Sequence, residues 1–225
     1  MREIVTSRFE SLIAPFLHRI ESVAVVGGSI EEPEVQILRK LKTLSVTRLG
    51  IDPDCDHHFN LNYLSKLDLQ FDLVLCSQVL EHIWDVKVGI QNLANITSPE
   101  GILWIACPAS NRSHGSPYFF AAGYQPELIS NLGELFGCSS LAQERIGSKR
   151  NYFFTHALRV WPTPEEARHP VSQYNFARYG GGKLKKSLRF IRDLPGRIYS
   201  CFISSNVTSE IEYATETYVM LKRNK

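Results

Sequence analysis

Apolar residues follow two alternating patterns along this chain. Continuous runs occupy residues 23–26, 46–51, 71–76 and 102–107. Between them, apolar positions recur every three or four residues. The runs read as buried strands and the intervening stretches as amphipathic helices. Val5, Phe9, Leu12, Ile13, Phe16 and Leu17 predict a helix over 3–19, bent near Pro15. Val35, Leu38 and Leu41 predict a second, with Pro33 in its first turn and Ser29 and Glu32 at capping-box spacing. A third runs from Val86 to about Ile96. A fourth opens at Gln125-Pro126, is striped by Leu128, Ile129, Leu132, Leu135 and Phe136, and stops at Gly137. FNLNYL (59–64) reads as a short third strand, 138–146 as a sixth, and ETYVMLKR (216–223) as the last. Residues 152–160 read as either strand or helix.

The first strand ends on Gly27-Gly28, the second on Asp52, 25 positions later. Strand, glycine turn, helix, strand and acid form the front half of a nucleoside-binding α/β unit, where that acid follows at ~20 positions. Glycines let backbone approach a ligand, and a carboxylate accepts bonds from both ribose hydroxyls. Gly27-Gly28 is not G-x-G-x-x-G, so an ordinary βαβ unit without a ligand stays open.

Length and composition narrow the classes. A chain of 225 residues with 44% apolar and 21% charged residues is one domain, with room for an elaboration. No apolar run approaches the ~20 residues of a membrane-spanning helix. Arg8, Glu10, His18, Arg19 and Glu21 interrupt any signal-peptide core. Cys55, Cys76, Cys107, Cys138 and Cys201 are odd in number, without C-x-x-C, which suits thiols in a reducing cytoplasm. The segment 53–62 carries Asp54, Asp56, His57 and His58, but adjacent histidines face opposite ways on an extended chain, and no metal is expected. Net charge is +2, yet 145–200 holds twelve Lys/Arg against three Asp/Glu. That segregation suits an anionic partner or a solvated basic surface.

FDLVLCSQVLEHI, then a helix, then PEG, then ILWIACP, resembles the class I S-adenosylmethionine-dependent methyltransferases, in the branch with "vlEH" after the fourth strand. HGSPYFFAAGYQPELISNLGELFG is similar to their loop and helix after the fifth strand. The likeness spans about residues 20–146. It implies a Rossmann-like sheet of seven mostly parallel strands in the order 3-2-1-4-5-7-6, helices on both faces, and an antiparallel last strand at 215–223. It also implies S-adenosylmethionine as cofactor. Gly27, Gly28 and Ser29 would line its methionine part, Asp52 and Pro53 its ribose, Leu61 and Asn62 its adenine, and Ser77 and Gln78 its methionine end. His82 stands at the "EH" histidine, which also suits a locally bonded structural role.

Two departures stand out. The family carries an acidic residue two positions before its first glycine, where this chain has Val25, and further glycines where it has Ser29 and Glu31. Glu31 or Glu32 are the candidate substitutes. Residues 161–208 fall outside the common fold and read as an insertion within a single domain, 1–225. Lys183, Lys185, Lys186, Arg189, Arg192 and Arg197 make it basic. This segment, 183–197, suits a solvated surface, an anionic acceptor or peripheral contact with an anionic membrane.

The expected activity is methyl transfer to a small-molecule or sugar acceptor, chiefly O-methylation. A hydroxyl acceptor needs a general base. His114 is the first candidate, followed by His82 and His156; Tyr118, Phe119, Phe120 and Tyr124 are candidate walls of the acceptor pocket. The alternative is a methyltransferase-fold subunit that has lost catalysis and serves as a binding scaffold. A nicotinamide oxidoreductase shares the first unit but not the "vlEH" run. A nucleic-acid methyltransferase is disfavoured by the absence of an N/D-P-P-Y/F tetrapeptide.

Overall fold

The computed structural model describes residues 2–110, 118–147 and 214–225. His114, His156, the stretch 152–160 and the basic segment 161–208 lie outside the described residues. Helix α1 spans Arg2–Ile13 and breaks into a 3-10 turn, Ala14–Arg19, where Pro15 withdraws a backbone donor. The remaining elements are strand β1 (Ser22–Val26), helix α2 (Pro33–Leu41), β2 (Ser45–Gly50), β3 (His57–His58) and β4 (Phe71–Ser77). They continue with helix α3 (Val86–Asn95), β5 (Thr97–Pro108), helix α4 (Pro126–Leu135), β6 (Cys138–Gly147) and β7 (Ala214–Arg223).

The seven strands form one sheet in the order β3-β2-β1-β4-β5-β7-β6. The five up to β5 are parallel, and β7 lies antiparallel between β5 and β6. Both the expected order and the expected sense of the last strand are therefore observed.

Strict alternation along the central strands sends side chains to two cores. Val23, Val25, Leu73, Leu75 and Trp104 face α1 and α2, where Phe9, Ile13, Val35 and Leu38 meet them. Trp104 has no exposed surface and packs edge-on to Phe9 at 5.1 Å and flat on Tyr218 at 5.0 Å. Ala24, Val26, Val74, Cys76, Leu103 and Ile105 face the other way, toward Ile90, Leu93 and Ile129 of α3 and α4. Strands buried on both faces explain why they read as continuous apolar runs.

Three expectations are corrected. Residues 59–64 are not a strand: Phe59 and Leu61 are 2% and 4% exposed because they drop into the core, and pairing to β2 is made by the exposed His57 and His58 instead. The Ser29 capping box does not form. The N-cap of α2 is Glu32, and the Ser29 hydroxyl accepts from the Glu31 amide at 3.0 Å within the preceding turn. The stripe of α4 is narrower than predicted, since Ile129 is fully buried while Leu128 and Leu135 are 43% and 62% exposed.

Candidate active site

In an open α/β sheet a ligand crevice opens where the chain switches direction, beyond the carboxyl ends of the strands. Here β1 pairs with β2 on one side and β4 on the other, so the switch lies between β1 and β4. The sequence puts Gly27-Gly28 at the end of β1 and Ser77-Gln78 at the end of β4.

Gly27 has φ +66°, a left-handed conformation open to glycine at little cost. Its amide donates to the Leu49 carbonyl of β2 at 2.8 Å. A Cβ added there would stand 2.8 Å from Cγ2 of Val79, just past the tip of β4. The turn is thus wedged between the strands on either side. Gly50, at the end of β2, lies against Gly27 as well, and Asp52 follows it by two residues. The Asp52 carboxylate is half-buried and makes no hydrogen bond among the described residues. Pro53 beside it is exposed, as is Ser29.

Leu61 and Asn62 are held more tightly than a binding loop requires. The Leu61 side chain is buried, and the Asn62 Oδ1 accepts from the Trp84 amide at 2.9 Å. This bond ties the segment after β3 to the segment after β4. Tyr63, Trp84 and Phe120 then meet edge to face, at 5.4 and 6.0 Å between centroids, as an exposed aromatic ridge.

At the end of β4 the backbone is strained. Gln78 has φ +58°, unusual for a residue with a side chain, and such outliers gather at functional sites. Its amide donates to the Ala106 carbonyl at 2.7 Å, and its side chain donates to Glu216 of β7 at 3.0 Å. Ser77 donates its hydroxyl to Glu34 on α2 at 3.3 Å.

Glu81 and His82 follow in a short 3-10 turn, Leu80–His82. Glu81 is 1% exposed. Burial, with the Glu216 charge adding to it, pushes its carboxyl up to about 8. The His82 Nδ1 lies 2.6 Å from the Tyr118 carbonyl. A carbonyl only accepts, so Nδ1 carries the proton and the neutral ring keeps its lone pair on Nε2. Burial lowers the His82 pKa, which the Tyr118 contact only partly offsets. The predicted aromatic loop does gather here. Phe119 meets His82 edge-on, the Phe120 amide donates to the Glu81 carbonyl at 2.8 Å, and the Tyr124 hydroxyl donates to the Leu80 carbonyl at 3.2 Å.

The structure therefore brings Gly27, Gly28, Asp52, Ser77 and Gln78 to one end of the sheet, with His82 in the loop that follows β4. His114 lies outside the described residues. Sequence reasoning passed over Glu34, Glu81 and Glu216. Glu34 had a signal, since it precedes Leu38 by four residues on the buried stripe of α2. Among the described residues no group of His, Cys, Asp or Glu is arranged to hold a metal, and no helix is long and apolar enough to cross a membrane.

A family model described as a methyltransferase domain matches residues 13–105. Over these residues the chain is similar to that family. The seven-stranded fold around them is that of the class I, S-adenosylmethionine-dependent methyltransferases. Solved structures agree on the fold at low identity. A Galdieria sulphuraria protein proposed as a sarcosine dimethylglycine methyltransferase is 13% identical, with a TM-score of 0.58, over 99% of this chain and 88% of its own. A S-adenosylmethionine-dependent methyltransferase from Archaeoglobus fulgidus is 16% identical, with a TM-score of 0.51, over 99% and 95%. The Burkholderia thailandensis 1,6-didemethyltoxoflavin-N1-methyltransferase, solved with its acceptor and S-adenosylhomocysteine, is 10% identical, with a TM-score of 0.51, over 98% and 78%. No curated protein sequence matches this chain.

Proposed function

We propose that this chain transfers a methyl group from S-adenosylmethionine to a hydroxyl of a small molecule or sugar. The observation that carries the reading is the wedged left-handed turn at Gly27, with Gly50 against it and Asp52 two residues further along the chain. That pairing suits a nucleoside: bare backbone for close approach and a carboxylate for two ribose hydroxyls. Gly27, Gly28 and Ser29 would hold the methionine part, Asp52 and Pro53 the ribose, Leu61 and Asn62 the adenine side, and Ser77 and Gln78 the methyl-bearing end. When bound, the cofactor supplies a methyl group already activated on a sulfonium.

The protein's own task is then alignment and proton removal. His82 supports the second. With Nδ1–H given to the Tyr118 carbonyl, Nε2 is the atom that would take the acceptor's proton. Phe119 and Phe120 on the loop beside it supply apolar walls for an acceptor. His114 remains a candidate for the same role from its sequence position. The reading extends to a single domain, 1–225, working in a reducing cytoplasm; Cys76, Cys107 and Cys138 are buried free thiols, in keeping with that. The basic run 183–197 would favour an anionic acceptor.

Titration with S-adenosylhomocysteine tests the core of the proposal. Binding by the wild type, weakened about 10- to 150-fold by Asp52→Ala, is expected from the loss of two bonds to a carboxylate, roughly 1.5–3 kcal/mol. No binding by the wild type would favour a scaffold without catalysis, and an unchanged Asp52→Ala would remove Asp52 from the site. Replacing Lys185, Lys186 and Arg189 with Ala should raise the acceptor's KM and leave cofactor affinity alone. Lost sedimentation with anionic liposomes instead would favour membrane contact.

A further inference from the structure

Beneath the glycine turn is a small cavity, about 10 Å³, whose walls include Val25, Gly28, Glu32, Glu34, Leu75 and Ser77. That is room for a single group the size of a water molecule. Glu34 reaches it from the first turn of α2 and is 1% exposed. One of its oxygens accepts the Ser77 hydroxyl at 3.3 Å. The other, Oε2, is buried with no hydrogen-bond partner. A buried carboxylate oxygen left without a donor is costly, and a donor entering the cavity would relieve that cost.

The chemistry of that partner follows from the walls. Among the described residues no lysine or arginine lines the cavity. The missing group must donate hydrogen bonds, carry positive charge to be held strongly, and fit a water-sized space. An alkylammonium meets all three requirements. Gly28 lines it too: a Cβ there would lie 3.1 Å from Val25 Cγ1 and 3.4 Å from Glu32 Cγ. Val25 and Glu34 therefore face the same space, one from the strand and the other from the helix.

We infer that Glu34 holds the α-ammonium of the cofactor's methionine portion, supplying from helix α2 the carboxylate that Val25 does not provide from strand β1. The inference rests on the cofactor reading above and assigns one side chain within it. Of the two substitutes suggested by sequence, Glu31 is exposed and its carboxylate accepts from the Gln36 side chain at 3.2 Å, outside the cavity, while Glu32 is half-buried and lines the cavity beside the fully buried Glu34. The Ser77 hydroxyl orients the carboxylate by occupying its first oxygen and leaving the second for the ligand.

The test uses two ligands that differ by the group in question. S-adenosylhomocysteine carries the amino-acid portion; 5′-methylthioadenosine lacks it. Each is titrated calorimetrically into the full chain and into Glu34→Gln, which keeps the volume and removes the charge. Glu34→Gln should weaken S-adenosylhomocysteine about 10- to 100-fold, as expected for a charge-assisted bond, and leave methylthioadenosine unchanged. Unchanged affinity for both, or equal loss of both, overturns the assignment while the cofactor reading stands. A wild type that binds only methylthioadenosine overturns it too, and one that binds neither removes both proposals. Glu34→Asp, which retains the charge, covers the case in which the glutamine unfolds the chain. It should bind methylthioadenosine like the wild type and S-adenosylhomocysteine more weakly, and equal losses again count against the assignment.

Discussion

Replacing Glu81 with Gln should make stability less sensitive to pH. Glu81 is buried, and burial together with the nearby Glu216 lifts its carboxyl from 4.5 to about 8. Between those values the folded chain holds a proton that the unfolded chain has released. Folding then takes up a proton, so this group's contribution falls as pH rises from about 4.5 and levels off above about 8. Integrating between pH 5 and pH 8 gives a loss of roughly 3 kcal/mol. Gln copies the shape of the protonated acid and cannot ionise. The stability difference between Glu81→Gln and wild type should therefore move in the variant's favour by roughly 3 kcal/mol over that range. For a chain of this size that is about 6–12 °C in Tm. Denaturant unfolding of both proteins at pH 5 and pH 8 reads it directly, and titrating groups not coupled to Glu81 cancel in the difference. A difference that stays constant with pH would refute a protonated Glu81.

His82 predicts the acidic limb of the rate profile. Its folded pKa lies below 6.5, so activity should fall only as pH drops below that value and the ring gains a proton. His82→Gln should abolish this limb along with most turnover; a wild-type limb above 6.5 would argue against His82 as the base. Gln78 offers a comparison between two variants that both lose the bond to Glu216. Glycine is at home at φ +58° and alanine is not, so Gln78→Gly should unfold at higher denaturant than Gln78→Ala, by roughly 1 kcal/mol. Equal stabilities would mean that the residue relaxes out of the left-handed region.

The sheet was legible because its middle strands are buried on both faces. Val23–Val26 and the runs in β4 and β5 leave no solvent side, so periodicity, glycine turns and the order of motifs converged on the topology. The third strand was not legible for the complementary reason. His57 and His58 pair through backbone alone and show no apolar signal, while the alternation of Phe59 and Leu61 comes from a loop lying on the core. The glycine turn and Asp52 could be read from spacing. Glu34 showed only through its place four residues before Leu38 on the stripe of α2, and Glu81 not at all, because its burial depends on strands brought together from distant parts of the chain. Gln78 gave no sign either, since nothing in its identity announces a left-handed backbone.

The position of β7 has a consequence for how the protein is made. The strand between β5 and β6 leaves the ribosome after both of them, because Ala214–Arg223 follows Gly147 in the chain. Until then β6 has no neighbour among the described strands, and β5 presents an open row of backbone donors and acceptors. Residues up to Pro108 supply every strand of the five-stranded parallel half, which can assemble during synthesis with that edge exposed. An uncovered edge invites pairing with another chain. The interval between completing β6 and delivering β7 is thus the period of greatest aggregation risk, and synthesis rate through 148–213 sets its length.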